Sequence, residues 1–179
     1  YPLMVFGQDG QPVFGRLATD RPHQLKGQFI YAFPFGTSVG VNQYVFSGVP
    51  VSREISVLPP NNYPMNYQGR LSDGRTDAFL QTDLQIAHEF RLGGTKALQL
   101  SLNVLNLFNQ DAADSKHQSI RRTGGISFDQ EDFYAGEVDF DALIAAQVAS
   151  GAMTLDPRFL MDNSFQAPIA ARVGVKFIF

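Results

Sequence analysis

Apolar and polar residues alternate along this chain in long, unbroken runs. A period of two restricts such runs to β-strands whose two faces meet different surroundings. In "PIAARVGVKFIF", Ile169, Ala171, Val173, Val175, Phe177 and Phe179 fall on one face, and Ala170, Arg172, Gly174, Lys176 and Ile178 on the other. "HQLKGQFIYAFPF" sets His23, Leu25, Gly27, Phe29, Tyr31, Phe33 and Phe35 against Gln24, Lys26 and Gln28. "TSVGVNQYVFSG" opposes Val39, Val41 and Val45 to Ser38, Asn42 and Tyr44. In "FLQTDLQIAHEFRL", Leu80, Leu84, Ile86, Phe90 and Leu92 face away from Gln81, Asp83, Gln85, Glu89 and Arg91. "ALQLSLNVLNLFN" separates Leu98, Leu100, Leu102, Val104 and Phe108 from Gln99, Ser101 and Asn103. These runs predict five antiparallel strands in sequence order, near residues 22–35, 38–49, 77–92, 96–109 and 168–179. Ordinary strands have ~5–6 residues, whereas a tilted strand needs ~9–11 to cross a bilayer.

The connections sort by length. "FPFGTS" and "LGGTK" are tight glycine turns, while the chain from about 49 to 76 and from about 110 to 167 forms long connections. Short turns at one end and long loops at the other is the layout of an outer-membrane β-barrel. A soluble β-sandwich, with its apolar face on a protein core, is the competing arrangement. Strand length, polar faces rich in Gln, Asn, Asp and Arg, and the sorting of loops by end favour the barrel. Charged residues make up 17% of the chain, against ~25% in soluble domains. A net charge of −3 with no basic run speaks against nucleic acid as a partner. With no cysteine, disulfide frameworks and Cys-based metal sites are excluded. "YPLMVFGQDG" has no signal-peptide pattern, and no run of ~18 apolar residues suggests a transmembrane helix.

The run "RTDAFLQTDLQIAHEFRLGGTKALQLSLNVLNLFNQ" resembles the late-barrel strands of TonB-dependent outer-membrane receptors, above all at "LNVLNLFNQ". "LATDRPHQLKGQFIYAFPFGTSVGVNQYVFSGVPVSR" resembles an earlier hairpin of those barrels, and "ARVGVKFIF" their closing strand. Together they most resemble receptors that carry a carboxypeptidase-regulatory-like domain at their N-terminus. The resemblance implies a large barrel with an N-terminal plug inside it and a segment that contacts TonB. Five strands cannot close a barrel, since the smallest use eight. Residues 1–179 are therefore expected to be the C-terminal part of such a barrel, with plug and N-terminal domains outside the chain. The implied function is energised uptake of an iron chelate, glycan, peptide or vitamin across the outer membrane of a Gram-negative cell. No enzymatic activity, cofactor or metal is expected. A passive porin or adhesin barrel, or a soluble β-sandwich binding module, are the alternatives. The apolar faces are expected to meet outer-membrane lipid. The resemblance makes Phe179 a recognition signal for the assembly machinery, a role compatible with that of an interfacial girdle aromatic.

With Phe179 at the periplasmic end, the turns at Gly36 and Gly93-Gly94 are expected to be periplasmic. Segments 51–76 and 110–167 and the start of the chain are then extracellular. "SVLPPNNYPMNY" reads as a Pro- and Asn-rich loop. In "VDFDALIAAQVASG", Phe140, Leu143, Ile144 and Val148 recur at helical spacing between Asp139 and Gly151, which predicts a short helix in the second loop. His23, His88 and His117 lack metal-ligand spacing, and His88 and Glu89 point to opposite faces of a strand. Asp129, Glu131 and Asp132 lack the EF-hand pattern and read as a solvated loop. "GRLSDGR" reads as a turn rather than a phosphate loop. The loop aromatics Tyr63, Tyr67, Phe128, Phe133 and Tyr134 are candidates for stacking on a nutrient ligand, with packing inside their own loop as the competing role.

Overall fold

The computed structural model describes residues 6–58 and 62–179, so residues 59–61 of the Pro- and Asn-rich stretch lie outside it. In chain order the elements are β1 (Gln24–Ala32), β2 (Thr37–Phe46), β3 (Ile55–Val57), β4 (Tyr63–Met65), β5 (Phe79–Gly93), β6 (Lys96–Leu105), β7 (Ala113–Lys116) and β8 (Arg121–Thr123). There follow α1 (Gln130–Ala135), α2 (Phe140–Ala149), β9 (Thr154–Leu155), β10 (Asp162–Phe165) and β11 (Ala170–Ile178). The chain is mostly β, 46% strand and 9% helix, and divides into two compact units.

One unit (residues 21–48, 77–114 and 164–179) is built on a five-stranded sheet in the order β1-β2-β5-β6-β11. Every neighbouring pair is antiparallel, in the order the alternation predicts, and the sheet does not close into a barrel. Residues paired across a ladder share a face. One row therefore reads Tyr31, Val39, Ile86, Leu102 and Val173 across all five strands, and the next Phe29, Val41, Leu84, Val104 and Ala171. On the opposite face Ile30, Gly40, Gln85, Asn103 and Arg172 align, and Glu89, Gln99 and Lys176 form a second row. Among the described residues of this unit none covers the apolar rows: Val173 is 79% exposed, Val175 68% and Leu100 40%, while Leu84 and Leu102 are half-buried. Among the described residues β1 bonds along one edge only, and all of its residues are exposed.

Two polar pairs interrupt the apolar face, and the alternation alone does not announce either. The Thr82 hydroxyl donates to Gln43 Oε1 at 2.6 Å, and the Gln43 amide donates to the Gln81 and Tyr44 carbonyls. His88 Nδ1 lies 2.7 Å from the Thr37 hydroxyl, with its ring edge-on to Phe90 at 4.3 Å. Each pair forms a hydrogen bond between its own side chains, which lowers the cost of placing polar groups among apolar neighbours.

The "LNLFN" segment is a built corner. Asn106 and Asn109 adopt left-handed backbone (φ 50° and 48°), which asparagine tolerates better than most residues. The buried Asn106 amide donates to the carbonyls of Gln110 and Ala167 at 2.8 and 2.9 Å, and its oxygen accepts the Gln110 N–H. Asp83 accepts the Asn106 backbone N–H, and Asn109 Oδ1 accepts that of Ile169. At the other end Gly36 (φ 89°) turns the β1–β2 hairpin so tightly that an added β-carbon would stand 2.8 Å from the Glu89 carbonyl oxygen. The strands end a few residues inside the expected limits of 22–35 and 96–109, because the turn at Phe33–Gly36 and the Asn106 corner take up the difference.

The other unit (residues 1–20, described from Phe6, with 49–76 and 115–163) joins the two long connections to the start of the chain. Instead of two separate loops, they share one core of Ile55, Val57, Met65, Ile120, Ile126, Phe133 and Met153. The ladders are short: β3 on β4, β8 on β9, and single bridges from Glu54 to Ser119 and from Val57 to Ile126. The α2 helix lies where the spacing predicts it. Asp139 accepts the Ala142 N–H at its start, and Gly151 (φ 76°) ends it. The acidic run has a structural reason. Asp129 is the N-cap of α1, and Glu131 and Asp132 occupy its first turn, where the helix dipole favours negative charge.

Gly124 (φ 74°) and Gly151 (φ 76°) separate backbone conformation from packing. An alanine at either pays the left-handed penalty of about 1–2 kcal/mol. Only at Gly124 does the β-carbon also overlap the Ala152 carbonyl oxygen, whereas the space at Gly151 is open. Gly124→Ala is expected to strip hydrogen-exchange protection from residues around Ile55 and Ile126, and Gly151→Ala to reduce it only slightly. Equal losses would contradict this packing.

Candidate functional site

The connection unit carries the candidate site, and Tyr67, Phe128, Phe133, Tyr134 and Phe140 form one continuous cluster of rings in it. Phe133 is fully buried and stacks on Phe128, with centroids 5.6 Å apart and planes 19° from parallel. Tyr134 meets the Phe133 ring edge-on at 5.1 Å, and Phe140 touches Phe128, Phe133 and Tyr67. Tyr63 sits on β4 opposite Val57 and packs against the core. The five aromatics singled out from sequence therefore come together. Phe133 is a core residue, Phe128 and Tyr63 are half-buried against that core, and Tyr67 and Tyr134 reach its surface. Phe140, which joins three of them, is missing from that set because it reads as an ordinary apolar position of the helix. Phe179 belongs to the sheet unit, where it is 83% exposed beside Phe177.

Two of the clefts beside this cluster differ in their linings. The wider, about 640 Å³, is lined by Asp129, Asp132, Glu137 and Asp139 with Phe128 and Leu143 between them. The narrower, about 420 Å³, has a floor of Met65, Tyr67, Phe133 and Phe140 and a rim that includes Gln8, Asp9, Asn66 and Arg70. Its wall is pinned by Gln8, whose amide donates to the Val138 carbonyl (2.9 Å) and accepts the Val138 N–H (3.2 Å).

Charged groups behind the cluster are paired. Arg53 donates to Asp73 at 2.7 Å and lies over the Phe159 ring at 5.0 Å, and Asp73 raises its pKa. Burial pushes the Tyr67 phenol up, opposed by the neighbouring Arg53 guanidinium; burial also raises Tyr63. Arg75 donates to Asp20 at 2.6 Å and holds that carboxyl below its usual range. Both Asp156 oxygens accept from the Arg158 guanidinium, which holds Asp156 well below the ordinary value of 3.8. Burial raises Glu54 above 4.5, and the charge of Arg121 only partly offsets this. His23 and His88 belong to the sheet unit and His117 to the connection unit, and among the described residues no group of three or more His, Cys, Asp and Glu gathers as metal ligands would.

Over 180 residues the chain is 26% identical to the TonB-dependent transporter Oar of Myxococcus xanthus. The similarity covers 92% of this chain and 17% of that protein, so the chain spans about one sixth of its relative's length. No family model and no solved structure matches.

Glu54 and Asp156 give this unit opposite responses to pH. The folded-state pKa of Glu54 lies above its unfolded value, so its favourable contribution is present below 4.5 and lost as pH rises through the folded value. Asp156 is depressed, so its contribution is present above 3.8 and lost as pH falls through the folded value. Glu54→Gln is expected to raise the thermal midpoint of the unit at neutral pH and to match the parent near pH ~3, while Asp156→Asn lowers it at neutral pH. Thermal unfolding followed across that range checks both signs.

Proposed function

We propose that this chain is the C-terminal part of an outer-membrane β-barrel belonging to a TonB-dependent transporter, which takes up a nutrient across that membrane. The observation that carries the reading is the pair of apolar rows that run across all five strands of the sheet, with exposed side chains such as Val173 and Val175 that no described residue of that unit covers. The similarity to a TonB-dependent transporter supports the same reading.

On this reading the apolar rows meet lipid, and the rows of Gln85, Asn103, Arg172, Glu89, Gln99 and Lys176 line a wetted interior. The two unpaired edges, β1 and β11, bond to further strands of a longer polypeptide, because open edges have no solvent to satisfy them inside a bilayer. Phe177, Phe179, Phe90, Phe33 and Phe35 gather near the hairpin-turn end and form the aromatic girdle of the periplasmic interface. Phe179 serves there both as anchor and as signal to the assembly machinery. The connection unit, which is continuous with the opposite strand ends, is extracellular and meets the nutrient first. TonB acts through a segment N-terminal to this chain, together with a plug. A passive porin or adhesin barrel would share the sheet and lack that plug, so the coding region upstream of Tyr1 discriminates between them. In a soluble sandwich a second layer would have to cover Val173 and Val175.

Adjacent substitutions in the full-length gene product test the facing. Leu102→Arg places a charge on the lipid side near mid-strand, at a cost of about 2–4 kcal/mol at the bilayer midplane. Asn103→Arg points the same side chain at the wetted interior, where water solvates it. Outer-membrane folding yield is expected to fall sharply for Leu102→Arg and little for Asn103→Arg. Equal tolerance, or the reverse order, would refute the assignment.

A further inference from the structure

We propose that the narrower cleft of the connection unit binds a small ligand carrying an aromatic group beside a carboxylate. The inference deepens the transporter reading by naming a ligand class, and only its link to uptake rests on that reading.

Size and floor come first. At about 420 Å³ the cleft lies in the range of small-molecule pockets, ~300–1,000 Å³. Met65, Tyr67, Phe133 and Phe140 form its floor, with the Tyr67 and Phe140 rings 5.6 Å apart and inclined at 51°, and those of Phe133 and Phe140 6.3 Å apart at 66°. Phe133 is fully buried and backs this floor, so the inclined rings of the half-buried Tyr67 and Phe140 are the ones that offer a face and an edge to a guest ring, the geometry that aromatic contacts prefer.

The rim supplies the charge. Arg70 has an exposed guanidinium with no hydrogen bond or ion pair among the described residues. Three other arginines of this unit are committed, Arg53 to Asp73, Arg75 to Asp20 and Arg158 to Asp156, and the exposed Arg122 does not line the cleft. A planar guanidinium matches the two oxygens of a carboxylate better than any other side chain does. The Asn66 side chain, on the same rim, is also without a partner among the described residues and adds a neutral donor. Asp9 stands on the rim as well, and one of its oxygens accepts the Gln11 N–H. Its charge disfavours an anion nearby, so the carboxylate is assigned to the Arg70 side of the opening. The neighbouring cleft, lined by Asp129, Asp132, Glu137 and Asp139, offers no such cation and repels the same ligand.

The walls are largely set before a ligand arrives. Gln8 ties the N-terminal segment to Val138 through two hydrogen bonds, Gly7 and Gln11 bond across their own turn at 2.8 Å, and Gly69 closes the Asn66 turn at 2.9 Å. A pocket ordered in advance loses less conformational freedom on binding.

Fluorine NMR on the full-length gene product in lipid nanodiscs tests the assignment with four probes. These are N-acetyl-4-fluorophenylalanine, its amide, 4-fluorophenethylamine, and a tetrapeptide ending in 4-fluorophenylalanine. The acid is expected to bind at least about tenfold more tightly than the amide, as a charge-assisted pair implies. Arg70→Gln should bring acid and amide level, and Arg70→Lys should restore part of the difference. The peptide separates the two sources of this chemistry: tighter binding than the free acid indicates a peptide C-terminus, equal or weaker binding a free aromatic acid. The proposal is overturned if amide or amine binds as well as the acid, or if the preference for the acid survives Arg70→Gln. Because Arg70 is exposed, unchanged hydrogen exchange in the variant confirms that the fold is intact. If acid preference appears while the Leu102 and Asn103 variants fold alike, the site stands and the membrane reading falls. If those variants differ and acid preference is absent, this inference alone falls.

Discussion

The fixed antiparallel register of the five-stranded sheet is the constraint on which the rest depends. Side chains change face at every residue, so a slip of one position between two strands would carry the whole apolar set of one strand to the polar side. In the observed register no such mixing occurs. Ile86 meets Leu102 and Leu102 meets Val173, while Gln85 meets Asn103 and Asn103 meets Arg172. The register is held at both strand ends by backbone geometry that few residues can adopt. Gly36 and the Gly93-Gly94 turn fix the hairpins at one end, and the Asn106 corner, bonded to Gln110, Ala167 and Asp83, fixes the other.

A sheet with one apolar and one polar face makes a second demand, on its polar exceptions. Thr82, Gln43, Thr37 and His88 all sit among apolar neighbours, and they bond to one another or to adjacent carbonyls. The connection unit solves a different problem. Its strands have two to four residues, too few to stand alone, so bridges between distant segments and the buried Ile55, Ile126 and Phe133 hold it together. Long connections that share a core are able to keep a cleft in one shape, which separate flexible loops cannot do.

The sheet was legible in the sequence because period-two patterning is a local signal that persists over nine to fifteen residues. Strand order, the hairpin turns and α2 with its Asp139 cap follow from the same kind of local evidence. The connection unit was not legible as a unit. Ile55, Met65, Ile126, Phe133 and Met153 lie far apart in the chain, and β3, β4, β8 and β9 are too short to show a period. The α1 helix, six residues long, hides in an acidic stretch that holds its N-cap position at Asp129 and lines its first turn with Glu131 and Asp132. Of the loop aromatics, side-chain type alone could not separate Phe133, which builds the core, from Tyr67, which floors the cleft. Arg70 carried no signal at all, since its lack of a partner is a property of three-dimensional surroundings.

The central claim is that one face of this sheet meets lipid and the other water. Spin labels placed singly along β6 and β11 of the membrane-reconstituted gene product, with any cysteines outside this chain removed, test it most directly. Collision with oxygen, which concentrates in hydrocarbon, is compared with collision with a polar nickel chelate. The account predicts strict alternation: labels at Leu98, Leu100, Leu102, Val173 and Val175 favour oxygen, and labels at Gln99, Ser101, Asn103, Arg172 and Gly174 favour the chelate. Accessibility without a period of two, or with the two sets exchanged, would contradict it.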